Sequence, residues 1–130
     1  MSYKTIMIIK CLVCIGFGPL LLFLPEQLLS ILGATFCIGA AITAREYGAA
    51  LVGNAFLTWF ARNSEASSAR TAIIIYLFVY DAIALVAVTI LQFQNAMNQL
   101  GWGIVVVYLF FTLAFGYLLS KQSRLSPAAE

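Results

Sequence analysis

The chain contains no histidine, and charged residues make up only 9% of its 130 residues. Without an imidazole no side chain titrates near neutrality when unperturbed, so His-based acid–base catalysis, His-ligated metal sites and a Ser-His-Asp triad in its usual form are excluded. The scarcity of charge, set against 63% hydrophobic residues, lies outside the balance of soluble globular chains and points to an integral membrane protein. Basic residues exceed acidic ones by only 7 to 5 and are scattered. Nucleic acid, which needs a basic face or stripe, is therefore not a partner. Three cysteines, Cys11, Cys14 and Cys37, make no disulfide framework. Neither a phosphate-cradling glycine loop nor a metal-ligand constellation is present, so no cofactor is expected.

What is present is apolar sequence in long runs. A spanning helix takes about 20 mainly apolar residues to cross about 30 Å of hydrocarbon, so about 80 residues can lie in the bilayer and about 50 outside, too few for a second domain. The sequence reads as one all-α membrane domain, a four-transmembrane-helix bundle with a short interfacial helix between helices 1 and 2. The expected spans are about 5–24, 42–61, 71–91 and 101–120. The interfacial segment is about 26–33, and the tail 121–130 is expected to be disordered. Lys4 and Lys10 ahead of an apolar run resemble a signal peptide, but Pro25-Glu26 follows Leu24 where small residues would mark cleavage, so the first helix is expected to stay uncleaved. Pro19 should kink it and Pro25 should end it.

Between Glu26 and Thr43 two geometries fit. Either 26–32 forms an interfacial helix broken at Gly33, with re-entry near 39–43, or one long helix runs from about 27 to 61. Helix 2 carries small residues four apart, Ala44 with Gly48 and Ala49 with Gly53, a face on which another helix can approach closely. Ser67 or Ser68 is the expected N-cap of helix 3. Six of the seven basic residues cluster at the N-terminal end (Lys4, Lys10), the 62–70 loop (Arg62, Arg70) and the C-terminal end (Lys121, Arg124). With four spans, both termini are expected to be cytoplasmic.

Asp81 falls at the middle of helix 3, where an uncompensated carboxylate costs about 3 kcal/mol. Counting at ~1.5 Å per residue from the cytoplasmic ends puts Asp81 at ~16 Å, Asn54 at ~12 Å, Thr112 at ~14 Å and Cys14 at ~15 Å, a single polar layer. Arg45 stands at ~25 Å and must reach down ~9 Å to pair with Asp81; Glu26 is its other candidate partner. Two readings compete. Asp81 with Asn54, Tyr80 and Arg45 forms a proton relay or polar ligand site, or Asp81 is a protonated carboxyl held by Asn54 or Thr112, which fixes helix 3 in place. Lys10 is expected to snorkel to the cytoplasmic interface. Cys11 and Cys14 form a C-x-x-C, but inside a spanning helix they read as buried apolar side chains rather than a redox pair.

FLPEQLL (Phe23 to Leu29), the turn at Gly33, R-x-x-G (Arg45, Gly48), Gly53 and the closing W-x-A-R (Trp59 to Arg62) together resemble the small DoxX-like four-helix membrane proteins of bacteria. The resemblance covers about half the chain. It implies a four-helix bundle in a bacterial inner membrane; the name-giving member is tied to a thiosulfate:quinone oxidoreductase, a redox activity for which this chain carries no motif.

Short loops leave little catalytic surface, which argues against an enzyme. The leading expectation is an accessory or scaffold subunit in the lipid bilayer, packing against itself as a homo-oligomer or against a larger membrane-protein partner. The alternatives are a proton-coupled carrier or conduit organised around Asp81, and a quinone-linked oxidoreductase accessory.

Overall fold

The computed structural model describes residues 1–123, and every described element is helical: α1 (Tyr3–Phe23), α2 (Pro25–Ile31), α3 (Ile38–Ala61), α4 (Ser68–Phe93) and α5 (Gly101–Ser123). α5 therefore continues past residue 120, and the rest of the tail expected to be disordered lies outside the described residues. Local chemistry accounts for the boundaries. Ser2 caps α1, its side chain accepting from the Thr5 N–H at 3.2 Å. Pro25, which cannot continue α1, opens α2 as its first residue, where a missing N–H costs nothing. Gly33 adopts φ +71°, a left-handed conformation that ends the second segment. Residues 34–37 then form no helix, and Cys37 caps α3. The chain thus follows the geometry with a separate short helix, and a single helix from 27 to 61 is not formed. Ser67, not Ser68, caps α4, accepting from the Arg70 N–H at 3.2 Å.

Three of these helices, not the four expected, are long and apolar enough to cross a membrane: α1, α4 and α5. α3 is long enough at 24 residues, but Arg45, Glu46 and Asn54, diluted further by glycine and alanine, hold its apolar content below that of the others. The three apolar helices mark the chain as a membrane protein. The distribution of side chains agrees, because it inverts the soluble pattern. Phe23, Ile38, Phe56, Phe60, Ile83 and Leu113 point outward, whereas Lys10, Asn54, Thr58, Asp81 and Gln92 are buried.

The helices form two antiparallel pairs, α1 with α3 and α4 with α5. In the first, Gly18 and Gly48 allow the two backbones to touch. A Cβ on Gly48 would lie 2.8 Å from the Gly18 carbonyl oxygen and 2.8 Å from the Leu22 nitrogen, and one on Gly18 would lie 2.9 Å from a Val52 methyl. Only one of the two small-residue rows of α3 makes this contact. Ala44 and Gly48 are buried against α1, while Ala49 and Gly53 are exposed, with nothing within 4 Å of a Cβ on Gly53. The expectation that Ala49 and Gly53 share the close contact is corrected accordingly: successive helical residues turn about 100°, and only one row can face a single neighbour.

A core shared by both pairs lies toward the end that holds both Tyr3 and Ala61. It comprises Tyr3, Ile6, Met7, Ala61, Ile74, Leu77, Phe111, Phe115 and Leu118. A second cluster, Cys11, Cys14, Leu21, Ala44, Leu51 and Ala55, belongs to α1 and α3 alone. At the other end, Asn98 joins the pairs. Its backbone N–H donates to the Leu32 carbonyl at 2.7 Å and its side-chain amide to the Ile31 carbonyl at 2.8 Å, satisfying carbonyls that the end of α2 leaves free.

Gly48→Ala is expected to destabilise the protein by about 1–3 kcal/mol, since backbone must move to admit the methyl. Gly53→Ala is expected to be neutral or stabilising by up to about 1 kcal/mol through helix propensity. Thermal unfolding of the two variants in detergent checks the contrast; equal effects would contradict the contact described.

Candidate functional site

The site is built on the buried stripes of α1 and α4. On α1, Tyr3, Met7, Lys10 and Cys14 recur at the three- and four-residue spacing of one helix face, and all are buried. On α4, Ile74, Leu77 and Asp81 do the same. Both stripes contribute to the shared core, and at its edge the Lys10 ammonium donates to Asp81 Oδ1 in an ion pair. Lys10 is 2% exposed and Asp81 0%. Among the described residues this is the only salt bridge.

Lys10 does not snorkel to the interface as expected; it reaches deeper into the bundle. The Arg70 guanidinium lies 3.7 Å over the Tyr3 ring, which fixes a common level for α1 and α4. From that level Lys10 stands about 10 Å along its helix and Asp81 about 16 Å along its own, a difference close to the length of an extended lysine stem. Side chains lean toward the N-terminus of their helix, so Asp81 leans down toward Lys10. A signal for this existed in the sequence: Lys10 shares its stripe with Tyr3, Met7 and Cys14, whereas Lys4 does not.

Aromatic rings surround the ammonium. Its Nζ lies 4.4 Å from the centroid of Phe111, 5.5 Å from Tyr80 and 5.9 Å from Tyr108, a distribution that favours a cation by up to about 2 kcal/mol when water is excluded. The Tyr47 and Tyr80 hydroxyls are enclosed, and neither has a partner at hydrogen-bonding geometry. Asp81 Oδ2 and Thr112 Oγ1 are likewise enclosed and unpartnered.

The remaining expected site residues distribute around this centre. Asn54 is buried in α3, but its partner is Tyr76, whose hydroxyl donates to Asn54 Oδ1 at 3.0 Å; its amide Nδ2 is unpartnered. Neither Asn54 nor Thr112 bonds Asp81. Arg45 is exposed and pairs with neither Asp81 nor Glu26, because it lies on the outward row of α3 with Ala49. Cys11 and Cys14 are both buried against α3, with free thiols. An apolar groove of about 340 Å³ lined by Met1, Ile6, Phe110, Leu113, Ala114 and Tyr117 lies elsewhere, and its lining carries no charged side chain; the polar chemistry is at the ion pair. Compared with family models, curated proteins and solved structures, the chain matches none.

Removing one member of a buried pair leaves the other charge uncompensated, so Lys10→Met alone is expected to destabilise by about 3–5 kcal/mol. The double variant Lys10→Met, Asp81→Leu should recover most of that loss, since apolar replacement of both partners restores neutrality. Unfolding in detergent measures both, and a double variant as unstable as the single one would overturn the coupling.

Proposed function

We propose that this is a four-span protein of a bacterial inner membrane, with both termini cytoplasmic, that acts as a proton-coupled carrier organised around the Lys10–Asp81 pair. The observation that carries this reading is a full ion pair inside an apolar bundle, with one carboxylate oxygen unpartnered and the ring of Tyr80, whose hydroxyl is also unpartnered, 5.5 Å from the ammonium. As a mere clamp between α1 and α4 such a pair is poorly suited, because well-packed apolar residues hold helices together as well or better. Intramembrane ionisable groups otherwise mark proton and substrate paths.

Several features support the finer parts of the reading. α3 runs beside α1 over most of its length, from the Tyr3 hydroxyl on the Ala61 carbonyl at 3.0 Å to the Gly18–Gly48 contact, so if α1 crosses the bilayer α3 crosses with it. The start of α1, the end of α3, the start of α4 and the end of α5 then share one face, which holds Lys4, Arg62, Arg70 and Lys121. With Lys10 withdrawn into the bundle, the basic bias still favours that face as cytoplasmic. The resemblance to DoxX-like proteins supports the same bundle and membrane. The ion pair lies on the seam between the α1–α3 and α4–α5 pairs, at the upper edge of their shared core. Rocking of one helix pair against the other, with release of the Asn98 bonds at the far end, would expose the site to alternate sides.

A second reading, an accessory or scaffold subunit, is favoured by the outward row of Ala49 and Gly53, on which a helix of a second copy or of a larger partner can pack closely. Proteoliposomes holding an internal pH dye separate the two. They are challenged with an acid step in the presence of sodium pyruvate, an amino acid or a quaternary ammonium ion. The carrier reading expects acidification with one of these solutes at least tenfold above protein-free vesicles, reduced to background by Asp81→Asn. No Asp81-dependent flux with any solute, together with a stoichiometric partner in mild detergent, establishes the scaffold instead.

A further inference from the structure

We infer that the solute carried is a small monocarboxylate, bound by Lys10 in place of Asp81 and taken up together with one proton, so that the loaded site stays electrically neutral. This rests on the carrier reading above and adds its substrate class.

Among the described residues Lys10 has one anionic partner, Asp81, and its other near neighbours are the ring faces of Phe111, Tyr80 and Tyr108. Asp81 uses one oxygen for Lys10; Oδ2 is enclosed and unpartnered. A proton arriving at Asp81 therefore has a free lone pair at Oδ2 to bind. Once it has bound, the carboxyl is neutral and the ammonium has lost its counter-ion. Ring faces compensate a buried cation only in part, and a bare charge at this depth is not tolerated. An anion must take the place that Asp81 gives up.

The chemistry of that place is defined by the group that occupies it: a carboxylate, held by an ammonium that has the rings of Phe111, Tyr80 and Tyr108 around it. A second carboxylate on a small, partly apolar body fits those contacts. A dianion would leave one charge uncompensated. The step balances without a further reactant. The proton adds to Oδ2, the ammonium–carboxylate contact to Asp81 breaks, and the contact to the substrate carboxylate forms; on the opposite side both reverse. The other titratable groups that interact with the pair are Cys14 from α1, Tyr47 from α3, Tyr80 from α4 and Tyr108 from α5. Of these groups and Asp81, the carboxylate is the one that must change protonation for the anion to bind.

Linkage makes this measurable. Binding that requires a protonated Asp81 weakens about tenfold per pH unit once the carboxylate is ionised in the free protein. Calorimetric titration of the full chain in detergent with sodium pyruvate, between pH 5 and pH 8, is expected to show that dependence. Sodium chloride should bind at least tenfold more weakly. Asp81→Asn, a neutral stand-in for the protonated form, should bind pyruvate with no pH dependence; Lys10→Gln should not bind it. If Asp81→Asn does not fold, wild-type protein still decides the matter through its pH slope. Pyruvate binding that is independent of pH, equal binding of chloride, or undiminished binding by Lys10→Gln overturns the inference. Flux of the amino acid or the quaternary ammonium in the vesicle experiment, without pyruvate binding, overturns the monocarboxylate but leaves the carrier. Absence of all Asp81-dependent flux removes both.

Discussion

A charge cannot be left alone in hydrocarbon, and that constraint organises this molecule. Lys10 and Asp81 are each intolerable there singly, and they become tolerable only when α1 and α4 turn the right faces into one shared interior, at depths that the lysine stem can bridge. Satisfying that condition fixes more than one contact. It turns the Tyr3–Met7–Cys14 stripe of α1 to the interior, sets the level at which Ile74 and Leu77 meet Phe111 and Phe115, and leaves every remaining apolar face to the lipid. The same rule recurs in weaker form elsewhere. Tyr76 donates to Asn54 Oδ1 across α3 and α4, and Asn98 satisfies the carbonyls at the end of α2.

The two halves of the molecule are built differently because of it. α1 and α3 are joined by backbone contact at Gly18 and Gly48, a packing mode that needs small residues and tolerates little relative movement. α4 and α5 pack through large side chains, Tyr108, Phe111 and Phe115 among the buried ones. Between the pairs, the contact consists of the core at the Tyr3 end, the ion pair at its edge, the Tyr76–Asn54 bond and the Asn98 bonds at the far end. The molecule is thus two helix pairs joined along a seam that is polar at its middle.

Much of the architecture was legible in the sequence, and the failures have a common cause. Pro25, Gly33 and Ser67 act through local backbone chemistry, and each marks a boundary where the sequence puts it. The apolar runs give the helices, and Asp81 stands out as the residue requiring a partner. What the sequence conceals is rotation: in a soluble protein the apolar stripe shows which face is buried, but lipid accepts apolar residues on every face, so the hydrophobic pattern loses its directional content. The pattern therefore did not show which of Arg45 and Lys10 turns inward toward Asp81, nor whether Gly48 or Gly53 makes the contact. The row shared by Lys10, Tyr3, Met7 and Cys14 does carry the answer, yet only together with the face of α4 that holds Ile74 and Leu77. α3 illustrates the converse. Its weaker apolar content follows from Arg45 and Glu46, yet it packs along α1 over much of its length.

The choice of lysine over arginine bears on what the pair can do. An arginine would make the same ionic contact with two donors and hold its proton under all conditions, giving a stronger and permanent clamp. A lysine makes a single-point contact on a flexible stem. The contact at the centre of this bundle is one that can be broken and remade without stranding a charge, provided that a proton and an anion arrive together, which is the requirement a coupled carrier has to meet.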